Sequence, residues 1–372
     1  MTTTQENPFL EQFFSTFCPE QFERVRRGFE NTRNWSPQIA QTPHRTVYEI
    51  GKAKLVYYPP AAEAAVNYLP PVLVVFSLIN RPYVLDLKPG KSVIEQLVKA
   101  GFPVYLIDWG SPGPSDQFLT LDDYVNRTMR RFVQWIQRKD SVERVSMLGY
   151  CMGGTMAGIF AARYPTWIEN LILMAAPFDF GSGDGLLNRW SDEKHFQAGH
   201  LVAAMGGNIP PWFLQSCFTM LKPMQNTVDK YVKYYENQDN PQFVDDFLTL
   251  EYWLNDNIPL VGPVYQQFVE DCFQHNRLIQ QKMPLGNQVI DLTAIQCPVL
   301  SLVAEHDHLV PPSSSKALHD HLGPTRSGKA DNTVISFPSG HIGLSVSGRA
   351  MKELWPQACQ WLQSRSEQAR SQ

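Results

Sequence analysis

The residues able to do chemistry begin in the stretch VSMLGYCMGGTMAGIF, Val145–Phe160. An apolar run closes on Gly149, Cys151 follows, and a helical pattern starts at once. Gly149-Tyr150-Cys151-Met152-Gly153 fits the nucleophile-elbow pattern G-x-S-x-G with sulfur in place of oxygen. Such a turn is so sharp that the positions two before and two after the nucleophile must be nearly free of side chain. It lifts Cys151 to the edge of a sheet and aims the N-terminus of the next helix at it, a dipole that favours an anion there.

A nucleophile needs a base, and the base needs an orienting group. In elbow folds the acid comes after a later strand and the histidine after the last one. AEHDHLVPP follows strand-like VLSLV and offers Glu305, His306, Asp307 and His308; FPSGHIGLSVSG follows TVISF and offers His341. Of the nine histidines, only His341 lies just past the last predicted strand. His319 and His321 fall on a predicted surface helix, His195, His200 and His275 in an insertion, and His44 before the first strand. Consecutive residues of one loop rarely converge on one ion, so EHDH is not read as a metal site. The oxyanion needs two donors. One is expected from the backbone N–H of Met152, the other from the loop SLINRPY (Ser77–Tyr83), placed at Ile79.

Sulfur itself carries information. A thiolate attacking a thioester makes another thioester, so the acyl group stays activated until an alcohol takes it downhill to an oxygen ester. The chemistry expected is acyl transfer from a CoA-type donor to a hydroxyl, with water kept away. An insertion rich in Trp190, Trp212, Phe213, Phe218, Met220, Met224 and Trp253 offers apolar cover, although most of these residues are expected to pack the insertion itself. Some hydrolases also use an elbow cysteine, which leaves a hydrolytic alternative open.

These residues must be held by a sheet. Strand-like runs at Arg45–Ile50, Ala53–Pro59, Val72–Leu78, Phe102–Trp109, Arg144–Gly149 and Asn170–Pro177 alternate with helical segments near 92–99, 121–138 and 152–164. The pattern resumes at Cys297–Asp307, a helix near 313–321, a strand at Thr333–Phe337 and a last helix near 350–363. Apolar runs alternating with helices predict a mostly parallel sheet covered on both faces. Between 178 and 292 the strand pattern is lost, and the segment is expected to form a largely helical cap over the sheet's C-terminal edge. The expected domains are thus an N-terminal helical segment, 1–40, a core of 41–177 and 293–372, and a cap of 178–292. Phe9, Phe13 and Phe17, then Phe22, Val25 and Phe29, give the first segment apolar stripes of helical spacing. An apolar content of 43% with 18% charge indicates a globular protein, and a net charge of −4 gives no reason to expect nucleic acid. No apolar run is long enough to span a bilayer, and the N-terminus lacks a signal-type pattern. Six scattered cysteines without a CxxC pair suggest reduced thiols in a cytoplasm.

The stretches LINRPYVLDL, VYLIDWG, LTLDDYVN, LGYCMGG, GNIP, CPVLSLVAEHDHLVPP and FPSGHIGLSVSG, with the spacing between them, resemble the catalytic subunit of class III polyhydroxyalkanoate synthases. The resemblance runs from about Tyr48 to the final helix. It implies an α/β-hydrolase fold with a cap, and polymerisation of (R)-3-hydroxyacyl-CoA, mainly 3-hydroxybutyryl-CoA, with release of CoA. It implies that Cys151 holds the acyl chain, that His341 is the base and that Asp307 is the third member, orienting the histidine or helping it activate the chain's hydroxyl. No cofactor is expected, since the CoA thioester is the substrate. The growing polyester and granule surface, a second synthase subunit and self-association are the partners implied, at polyester granules in the cytoplasm. One departure stands out: Ser345 occupies a position where the resemblance leads one to expect an aromatic. The alternatives are an intracellular depolymerase or esterase with the same triad, and a non-catalytic granule protein.

Overall fold

In the computed structural model, which describes residues 26–369 apart from 29, 34, 183 and 184, the apolar runs become an eight-stranded sheet. Its strands are β1 (Arg45–Ile50), β2 (Ala53–Tyr58), β3 (Val72–Val75), β4 (Val104–Asp108), β5 (Val145–Tyr150), β6 (Ile168–Met174), β7 (Val299–Ala304) and β8 (Asn332–Phe337). The spatial order is β1-β2-β4-β3-β5-β6-β7-β8. β2 runs antiparallel to both β1 and β4, and every other neighbouring pair is parallel. Because β3, β5 and β7 are sandwiched on both faces, every one of their residues is buried, and their sequences are continuous apolar runs instead of alternating ones. The edge strands are less buried: β8 alternates, exposing Val334 and Ser336, and β1 exposes Arg45, Thr46 and Glu49.

Chain order reverses around β3, with β4 on one side and β5 on the other, and the crevice at such a switch point is where open α/β sheets bind ligands. Register sharpens this. Val75, the last residue of β3, pairs with Gly149, so the loop after β3 and the turn after β5 emerge side by side. Ala304 pairs with Phe337, so the loops after β7 and β8 also leave the sheet together.

Three helices brace the sheet. α1 (Val93–Lys99) is started by Ser92, whose hydroxyl accepts from the Glu95 N–H at 2.9 Å. α2 (Arg130–Asp140) buries Phe132, Val133 and Ile136 and ends on Ser141 at a φ of 54°. α3 (Met152–Arg163) buries every residue except Arg163, which explains its small-residue sequence MGGTMAGIFAAR. The last predicted helix is two pieces, Gly348–Glu353 and Trp355–Gln363, and the 313–321 helix likewise divides into Pro312–Lys316 and a 3-10 turn, Ala317–His321.

Within 178–292 the described residues are mainly helical, including Ala198–Ala204, Pro211–Leu221, α4 (Lys230–Asn237), α5 (Pro241–Asn255) and Gly262–Gln267. Short antiparallel pairings join Asn208–Ile209 to Leu260–Val261 and Pro284–Leu285 to Gln288–Val289. The chain divides into two compact units. One comprises Ala40–Leu214 with Asn257–Gln372 and contains the whole sheet; the other comprises Gln215–Asp256 with the chain up to Ile39. In the smaller unit residues 26–28 and 30–33 are helical. There Arg27 pairs with Asp239 at 2.7 Å, the Trp35 indole donates to Asp245 at 2.9 Å, and Phe247 stacks on Tyr234 with centroids 4.6 Å apart. The stripe residues Phe9, Phe13, Phe17, Phe22, Val25 and Phe29 lie outside the described residues. Of the insertion's large apolar side chains, Trp253 is buried, whereas Trp190, Trp212, Met220 and Met224 are exposed, Trp212 meeting Phe213 edge-on.

Candidate active site

Cys151 leaves β5 with φ 54° and ψ −128°, a backbone conformation that costs about 1–3 kcal/mol and persists only where surrounding structure enforces it. Enforcement is local. The Cys151 N–H donates to the Met174 carbonyl on β6 at 2.9 Å, and its carbonyl accepts from Gly154 at 2.8 Å and Thr155 at 3.2 Å. A Cβ on Gly149 would overlap Gly154, and one on Gly153 would overlap the Val75 carbonyl, which is the steric reason for both glycines of the elbow. Cys151 is partly exposed at the head of α3. Burial holds Cys272, Cys297 and Cys359 as thiols, pushing the last two up to about 12.

The loops after β7 and β8 are stapled by backbone bonds from Glu305 N to Phe337 O, 2.9 Å, and from His306 N to Ser339 O, 3.0 Å. Of the four residues EHDH, only Asp307 turns inward; Glu305, His306 and His308 are exposed. One Asp307 oxygen accepts from the Leu309 and Val310 N–H groups at 2.9 Å each, and the other meets His341 Nδ1 at 2.6 Å. A charge on the Cys151 sulfur also acts on the His341 imidazole, so the three groups lie together. Burial pulls this imidazole down, but a thiolate at Cys151 and the Asp307 carboxylate outweigh it and hold His341 up at about 10. Sulfur, imidazole and carboxylate in this arrangement can attack a carbonyl carbon, deliver a proton to a leaving group and take one from an incoming hydroxyl.

The Met152 N–H, first of α3, has no hydrogen-bond acceptor among the described residues. The Ile79 N–H donates to the Ser77 hydroxyl at 3.2 Å, and the Ile79 carbonyl accepts from Ile258 at 3.4 Å. Its neighbour Asn80 bonds Asn257 through both side-chain amides and forms a β-bridge with it. The remaining histidines stand apart. His319, expected on an exposed helix face, is half-buried against the Ser301 hydroxyl at 2.8 Å, and burial lowers its pKa. His275 pairs with Glu193 at 3.2 Å.

One neighbour of the imidazole had no role in the sequence analysis and another was noted there only as a departure. Tyr150, 2% exposed, stacks on His341 with centroids 5.1 Å apart and an interplanar angle of 24°. Its phenol donates to the His341 carbonyl at 3.2 Å. Ser345, fully buried, donates to the Ile342 carbonyl at 2.9 Å. The elbow pattern leaves the position of Tyr150 free, so spacing offered no signal; Ser345 was visible only as a departure from expectation.

Comparison with known proteins accords with this architecture. Residues 85–346 match the model of the alpha/beta hydrolase fold, and residues 29–97 match the N-terminus of poly-beta-hydroxybutyrate polymerase (PhaC). The chain is 43% identical over 329 residues to the poly(3-hydroxyalkanoate) polymerase subunit PhaC of Haloferax mediterranei, covering 88% of this chain and 65% of that protein. The subunit of the same name from Allochromatium vinosum is 38% identical, with 92% and 94% covered, and that of Synechocystis is 38% identical, with 92% and 91% covered. Among solved structures, a monoglyceride lipase of Saccharomyces cerevisiae superposes with a TM-score of 0.54 at 14% identity, over 90% of this chain and 99% of that one, a likeness of fold.

Proposed function

The chain belongs to the poly(3-hydroxyalkanoate) polymerase family, acyltransferases of the alpha/beta hydrolase fold, and we propose that Cys151, His341 and Asp307 carry its polymerisation of (R)-3-hydroxyacyl-CoA. The observation that supports these roles most is the Asp307 carboxylate 2.6 Å from His341 Nδ1, on an imidazole that feels the charge of the sulfur at the elbow. The Cys151 thiolate attacks the thioester carbonyl of the substrate, here taken as 3-hydroxybutyryl-CoA. The resulting oxyanion is received by the Met152 N–H and by the Ile79 N–H once the latter gives up its bond to Ser77. The C–S bond to CoA breaks, and CoA leaves with the proton of His341. The hydroxyl of a second hydroxyacyl group then gives its proton to the neutral imidazole and attacks the acyl-enzyme. A C–O ester bond forms and the Cys151 thiolate returns, with the chain one unit longer.

The two-subunit, class III arrangement is part of the same reading. It is supported by the near-equal length of this chain and the Allochromatium relative, which is named as a subunit. So is work at a granule surface: no helix among the described residues is long and apolar enough to cross a membrane, and the growing product is an insoluble polyester. Purified protein incubated with 3-hydroxybutyryl-CoA, with and without a candidate second subunit, tests both. CoA release accompanied by polymer of rising mass is expected, faster with the second subunit; CoA release yielding only free hydroxy acid would overturn polymerisation. Cys151→Ala is expected to abolish turnover, and Cys151→Ser to leave a trace at most.

A further inference from the structure

His341 is held at its far nitrogen by Asp307, but one hydrogen bond leaves an imidazole free to swing about that contact. The backbone that carries it, Gly340-His341-Ile342-Gly343, is soft for want of side chains on either flank. Catalysis needs the opposite: the imidazole must stay within hydrogen-bond reach of the sulfur while bonds are made and broken. We propose that Tyr150 is a positioning residue that fixes His341 against Cys151.

Two contacts carry the assignment. The phenol's proton is donated to the His341 carbonyl at 3.2 Å, which holds the soft loop. The ring lies against the imidazole face at 24°, which resists swinging. Tyr150 is suited to the task because it directly precedes Cys151 at the end of β5, so sulfur and brace share one rigid strand end. Its ring is wedged on the other side by Phe76, 5.6 Å between centroids. Burial, with the charges of Cys151 and Asp307 nearby, raises the phenol's pKa, so it stays a donor throughout.

The inference rests on the triad reading, and its test separates the two. Tyr150→Phe keeps the ring and removes the hydroxyl. It is expected to lower kcat about 10-fold with KM little changed, and to slow iodoacetamide alkylation on the Cys151 peptide at pH 7 by a similar factor. Turnover is normalised to the folded fraction from a melting curve. Wild-type kcat and alkylation per folded molecule in Tyr150→Phe, beside a dead Cys151→Ala, would overturn the positioning role alone. Full turnover by Cys151→Ala would overturn the triad itself.

Discussion

His341 must act as an acid when CoA leaves and as a base when the next hydroxyl arrives, and the charges beside it allow both. Burial pulls the imidazole down, but an ionised Cys151 and the Asp307 carboxylate outweigh it and hold the ring up at about 10, so that near neutral pH it carries a proton to give. Acylation turns the thiolate into a thioester and removes one of those anions. The sign of the resulting shift is downward, toward an imidazole that sheds its proton and accepts one from a hydroxyl. Histidine-labelled NMR should therefore find the His341 titration near 10 in free protein and clearly lower after Cys151 is alkylated. A midpoint that stayed in place would mean that no charge on sulfur acts on the ring. Asp307→Asn keeps the side chain's shape but removes the remaining anion and the acceptor that fixes the Nδ1 proton; turnover should fall about 10²- to 10⁴-fold. At this scale the sequence was most readable where chemistry and spacing coincide. Cys151 is bracketed by glycines that the turn requires, and His341 is set apart by its place after the last strand. Among Glu305, His306, Asp307 and His308, nothing in the spacing says which side chain turns inward; the backbone N–H groups of Leu309 and Val310 decide it.

Strands and helices set how tightly those residues can be brought together. The elbow works because α3 packs against the end of β3, with Gly153 lying on the Val75 carbonyl and the Phe76 backbone. Gly153→Ala puts a Cβ into backbone that has no room to yield, and should cost about 1–3 kcal/mol while displacing the Met152 N–H from its place. Gly348→Ala is the matched control: no atom lies within 4 Å of its added Cβ and its φ is ordinary, so stability should change by no more than about 0.5 kcal/mol. Chemical denaturation of the two variants, with the rate of Cys151 alkylation, checks the pair; equal stabilities would contradict the packing argument. The sheet was legible because strands buried on both faces must be written as apolar runs, and β3, β5 and β7 are. Less legible were the breaks in the late helices, where Leu354 and Ala317 interrupt patterns that apolar spacing alone reads as continuous. Asn80 and Asn257 gave no signal at all, since a pair of amides 177 positions apart has no period to betray it.

For the whole molecule, the division into two compact units meets the sequence's boundaries only in part: the cut between Ile39 and Ala40 falls at the end of the N-terminal segment, whereas those after Leu214 and Asp256 fall inside 178–292, where composition marks none. The smaller unit is assembled from two distant parts of the chain. Among the described residues its internal ties include Arg27 with Asp239, Trp35 with Asp245, Lys230 with Glu251, buried Val244, Leu248 and Trp253, and an aromatic cluster in which Phe247 meets Tyr231, Tyr234 and Phe243. The ion pairs are mostly half-exposed and contribute little beside this apolar and aromatic packing. The smaller unit should open at a lower free energy than the eight-stranded sheet. Phe247→Ala, removing the ring common to those three contacts, should cost that unit about 2 kcal/mol. Hydrogen exchange read by mass spectrometry should then accelerate in 26–39 and 230–255, while β3, β5, β6 and β7 keep their protection and Cys151 alkylation keeps its rate. If instead the sheet lost protection in step with the aromatic cluster, the two units would be one cooperative body, and opening of the smaller one alone would not occur.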